Sequence, residues 1–215
     1  MRRDSMYGGA LIAGTLGGFV TMAMHPTGSQ LLADVQHMAP VVLAVHALAL
    51  VSLPFSFFGA FGLTRLLAVD GELPVAAMVA YAMASVAVMI AAVASGLLAP
   101  GLFARIVTST GSEQQLAMAI VNYNGSINQA FAKVYVFASS AAILLWSVAI
   151  ISHGRLSRGA GWLGIIVAML ALLAIAIGHL RLDVHGFGAV VLTQGIWMIT
   201  VGVLLIRDQE LLSTS

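Results

Sequence analysis

Polar residues in this chain fall mostly at the ends of long apolar runs, and they gather towards one end of nearly every run. Six runs, at roughly residues 7–25, 40–63, 75–99, 131–152, 159–179 and 187–206, each come close to the ~20 residues an α-helix needs to cross ~30 Å of hydrocarbon. In lipid every backbone N–H and C=O must be satisfied within the protein, so runs of this length predict spanning helices. The pattern predicts an all-α polytopic integral membrane protein, one six-transmembrane-helix domain over residues 1–215, with a one-sided polar site. The first run follows Met1-Arg2-Arg3 as a signal peptide would, but its ~19 apolar residues exceed the usual signal core, and it reads as a span.

The fourth run belongs to a longer helix than a bilayer requires. No proline interrupts Gln114 to Ser152, which at 1.5 Å per residue would extend ~57 Å. Its first half is expected to project beyond the hydrocarbon or to line a cavity. Gln115, Asn122, Ser126, Gln129 and Lys133 recur at helical spacing on one face, and Asn124 with Asn128 forms an adjacent polar row. A wet helix face and a pocket wall both account for this periodicity.

Composition agrees with the span count. Hydrophobic residues make up 60% of the chain and charged residues 8%, against about a quarter charged in soluble domains. The mean hydropathy is +1.03. A net charge of +1 with nine Lys and Arg in all gives no basic surface for nucleic acid, and the absence of cysteine excludes disulfides and thiolate chemistry. Arg2, Arg3, Arg65, Arg155, Arg158 and Arg207 fall on one side of a six-span topology, with Arg105 and Arg181 on the other. The positive-inside rule then predicts two cytoplasmic termini, with a bacterial inner membrane as the expected location. Trp146 and Trp162 lie near the cytoplasmic ends of spans four and five, where indole favours the interface.

Five of the six histidines fall in the opposite, outer half; only His153 is cytoplasmic. His46 interrupts the apolar stretch Val41 to Leu48, and an imidazole there is expected to face the bundle interior because lipid solvates it poorly. Gly178 to Gly186 packs His179, Arg181, Asp183 and His185 into nine residues. If span five continues as a helix through this segment, Asp183 stands four residues from His179 and can orient its ring. The expected outer pocket comprises His25, His46, Asn122, Gln129, Lys133, His179, Arg181, Asp183 and His185, with His46, His179 and His185 as metal ligands and the others as contacts to a small molecule. His46 and His179 are expected to approach one another.

Neutral imidazoles ligate zinc, copper and iron, and two on different helices can hold a noncovalent haem. Binding of a metal ion, haem or polar small molecule, with redox or hydrolytic chemistry open, is the functional expectation. The alternatives are a channel or carrier for a small solute and a non-catalytic partner subunit. All eight Asp and Glu fall at termini or in loops, which argues against ion-coupled transport. The glycines of span one, including the Gly14/Gly18 pair, and the scattered methionines read as packing, either within the bundle or against a helical partner or second copy.

Overall fold

The computed structural model describes residues 3–26, 33–178 and 182–213. Six helices in it are long and apolar enough to cross a membrane. They are α1 (Arg3–Met24), α2 (Val35–Leu67), α3 (Leu73–Thr108), α4 (Gly111–His153), α5 (Arg158–Ala176) and α6 (Val184–Ser213). The described residues contain no strand.

Each helix packs against its neighbours in sequence, and α6 returns to α1, closing a ring. Short connections make consecutive helices antiparallel. The close approaches fix this directly: a Cβ added to Gly59 of α2 would lie 2.5 Å from the Leu11 Cβ, and one added to Gly14 of α1 would lie 2.5 Å from the Ser56 nitrogen. Without aqueous exclusion to drive them together, membrane helices depend on such small residues for contact area. Gly18, by contrast, has only Val191 of α6 nearby, 3.9 Å from an added Cβ, so the Gly14/Gly18 pair does not act as one tight seam.

Helix lengths differ in a way that shapes the two ends. The 22 residues of α1 rise ~33 Å, about one hydrocarbon thickness, whereas the 43 residues of α4 rise ~64 Å. α4 stops at Gly154, whose φ of +66° suits a residue without Cβ and whose N–H donates to the Ile150 carbonyl at 3.1 Å. α3 continues past Pro100 to Thr108, beyond the expected end of the third run near residue 99. Pro100 has no N–H to give, and the chain accommodates it by widening to a π-helical turn over Val93–Leu98, in which the Ala99 N–H donates to the Ala94 carbonyl.

The end of the bundle that holds Tyr7, Arg65, His153 and Arg155 is filled by a dry core of Leu11, Leu63, Ile143, Trp146, Trp197 and Val201. Trp146 and Trp197 stack with ring centroids 6.3 Å apart. Their N–H groups are both satisfied, Trp146 by Thr64 Oγ1 at 3.0 Å and Trp197 by the Ala160 carbonyl at 2.9 Å. Trp146 is therefore a core residue and not the interfacial anchor its position suggested, because a hydroxyl from α2 gives its indole a partner inside the bundle. Trp162 is exposed, as an anchor would be.

Candidate functional site

At the opposite end the ring opens around a cavity of about 500 Å³, lined by α1, α2, α3, α4 and the start of α6. Much of its wall is apolar, including Val42, Val88, Phe103, Val121 and Phe187. Its polar groups converge from different helices.

His46 lies on the wall, 3% exposed. Its Nδ1 is 2.7 Å from the Val42 carbonyl one turn back, and its Nε2 is 3.2 Å from the Nε2 of His25, which follows the last residue of α1. His25 in turn presents Nδ1 to the Pro26 carbonyl at 2.9 Å. A carbonyl can only accept, so each Nδ1 carries a proton, and in the neutral ring each Nε2 is a bare lone pair. The hydroxyl of Ser95 lies 2.9 Å from His46 Nε2 and 2.8 Å from the Ala91 carbonyl.

The π-turn of α3 makes room for this cluster. A Cβ on Gly96 would overlap the His46 ring, so the imidazole sits directly on the glycine backbone, with Ser95 beside it. The Ala94 carbonyl, in the same turn, accepts a bond from Asn124 Nδ2 at 2.9 Å, tying the turn to α4. Asn128 and Gln129 continue that wall, and Gln129 Nε2 donates to the Leu182 carbonyl at 2.9 Å.

Of the residues expected in the pocket, His25, His46 and Gln129 line the cavity together. Asp183 and His185 also border it, with exposed side chains. Asn122 and Lys133 lie instead in a shallow outward groove on α4 with Ser126, because the rotation of the helix turns these three outward and presents Asn124, Asn128 and Gln129 towards the cavity. His179 and Arg181 lie outside the described residues, and with them the expected approach of His46 to His179. The expectation that span five runs helically through Asp183 does not hold: α5 ends at Ala176, and Gly178 takes a φ of +71°. Asp183 caps α6, its Oδ1 accepting from the backbone N–H groups of His185 at 3.1 Å and Gly186 at 2.9 Å. No group of three or more His, Cys, Asp or Glu able to hold a metal ion occurs among the described residues.

Sequence reasoning missed Ser95, Gly96 and the pairing of His25 with His46. The available signal was a Ser-Gly step inside an apolar run four residues before Pro100. Comparison of the chain with protein families, curated proteins and solved structures finds no match. The arrangement itself offers fixed imidazole lone pairs, a hydroxyl and carboxamides at one end of an apolar chamber.

Proposed function

We propose that this chain is a membrane-embedded binding protein for a small amphipathic molecule, taken into the cavity with its polar end at His25, His46 and Ser95. One observation carries the reading: a nearly buried imidazole in a spanning helix, seated on Gly96, forms part of a chamber of about 500 Å³. Ionisable groups inside a bundle are costly and are kept where they serve a ligand or a path, and a largely apolar chamber with a few convergent polar groups is the usual form of a small-molecule site. The dry Trp146/Trp197 core at the other end favours binding over a channel through the bundle. The positive-inside rule would put Arg65, Arg155, Arg158 and Arg207 in the cytoplasm, with the cavity opening outward across a bacterial inner membrane.

The test compares wild type with Ala92→Phe, which fills the chamber from its α3 wall, and with Gly101→Ala, outside the cavity lining, where an added Cβ meets nothing within 4 Å. Mass spectrometry of organic extracts from purified protein should find one bound species in wild type and Gly101→Ala and none in Ala92→Phe. Equal recovery from all three, or none from any, would refute the reading. Reporters fused at either terminus should be cytoplasmic and one near Gly111 external.

A further inference from the structure

We propose that His25 and His46 together hold one metal ion of the Zn²⁺ class through their Nε2 atoms. The proposal rests on the reading of the cavity as a ligand site, since the ion's remaining positions open into it.

The hydrogen bonds leave the two rings with an electrostatic problem that a cation solves. Both Nδ1 atoms face backbone carbonyls, at 2.9 Å for His25 and 2.7 Å for His46, so both neutral rings direct an unprotonated Nε2 at the other across 3.2 Å. Two lone pairs cannot bond to each other. One hydroxyl, that of Ser95, serves at most one of them, and it has the Ala91 carbonyl as an alternative acceptor. Something positive belongs between the rings.

Geometry identifies the kind of cation. With metal–imidazole bonds of about 2.0–2.1 Å, a 3.2 Å separation of the nitrogens subtends about 99–106° at the metal, close to the tetrahedral angle. Metal-binding histidines also commonly donate the other ring N–H to a carbonyl or carboxylate, which fixes the tautomer, and both rings here do so. A haem fits poorly. Its two axial nitrogens stand on opposite faces of the macrocycle, about 4 Å apart at bonds of ~2 Å, whereas these nitrogens touch. Two imidazoles leave two tetrahedral positions for water or for a donor atom of the cavity's ligand, one more than the single open position of a three-ligand zinc site.

Full-length protein purified in detergent, stripped with EDTA and titrated with Zn²⁺ or Co²⁺, should take up one ion per chain. Bound Co²⁺ should show the intense visible d–d bands of tetrahedral coordination. His46→Gln removes a nearly buried ring and risks the fold, so His25→Gln, at the half-buried end of α1, is the deciding variant. Either should weaken uptake roughly 100-fold, while His153→Gln at the far end leaves it unchanged. The proposal falls if wild type takes up no stoichiometric ion, if His25→Gln binds as wild type does, or if nitrogen-15 spectra show a proton shared between the two Nε2 atoms in the presence of Zn²⁺. An organic ligand lost in Ala92→Phe with no metal uptake in any variant would end this proposal alone. Metal uptake with no organic ligand would end the small-molecule reading alone.

Discussion

The two ends of the bundle are built largely by the same helices and differ in what those helices present to the axis. At the closed end Leu63, Trp146 and Trp197 meet from α2, α4 and α6 and fill the space between them. At the open end α3 and α4 present Ala91, Ala92, Ala99, Gly125 and Ala132, and the volume their side chains do not occupy is the cavity. The polar groups differ in the same sense. Thr64 and Ala160 each satisfy one buried indole inside the filled core, whereas His25 and His46 use their inner nitrogens on carbonyls and keep the outer ones for the chamber. The contrast comes from residue size and tautomer, within one ring of helices.

The strongest way to break that contrast is to open the closed end. Trp146→Ala removes a fully buried ring that stacks on Trp197 and contacts Tyr81, and it should cost roughly 3–5 kcal/mol in a reversible denaturation measured in detergent. Trp146→Phe keeps most of the volume and loses the bond to Thr64, so about 1 kcal/mol is expected. If Trp146→Ala costs no more than Trp146→Phe, the closed end is not the stable half of the bundle.

A smaller effect is expected where the open end is most tightly fitted. Gly96→Ala places a methyl group where the His46 ring lies, so the ring must turn or α3 must withdraw, at about 1–3 kcal/mol. Gly101→Ala, one turn beyond on the same helix, meets nothing within 4 Å and should cost nothing. Histidine-selective nitrogen-15 spectra separate a local cost from a general one: wild type should show both rings protonated at Nδ1, and Gly96→Ala should lose that pattern for His46. Retention of both signals would mean that the glycine does not position the ring.

What the sequence revealed follows the same division between one-dimensional and three-dimensional information. Each span is a property of ~20 consecutive residues and can be read from hydropathy alone. The long α4 could be read because no proline lies between Gln114 and Ser152, and the inward row of Asn124 and Asn128 could be read as a helical period, although not which of two polar rows turns inward. That choice depends on how α4 is rotated against α3. The His25/His46 pair joins residues 21 apart, one just beyond α1 and one within α2, so no spacing rule announces it. The spacing argument for His179 and Asp183 needs a helix running across Gly178, where positive φ interrupts it, and the Asp183 carboxylate caps α6. Trp146 was misread because the interfacial rule knows nothing of Thr64.

The smallest expected effect sharpens the comparison by making one end respond to acid while the other does not. Asp34 precedes α2 at the open end, and its Oδ1 accepts from the His37 N–H at 3.3 Å while both carboxylate oxygens lie 2.9 Å from His37 Nδ1. The hydrogen bond from the His37 side chain, and after it the one from the His37 backbone, holds the Asp34 carboxyl below its ordinary value. A carboxyl lowered in the folded protein contributes stability that is fully present above its unfolded pKa, near 3.9, and that is lost as pH falls through the lower folded value. The first turn of α2 should therefore lose amide protection as pH drops below about 4, while protection around Trp146 stays level over the same interval. Asp34→Asn keeps an oxygen able to cap the turn but removes the charge, so it should flatten the acid response and leave protection at neutral pH slightly reduced. Hydrogen exchange that fell equally at both ends of the bundle would show acid acting on the whole fold, with no separate contribution from this cap.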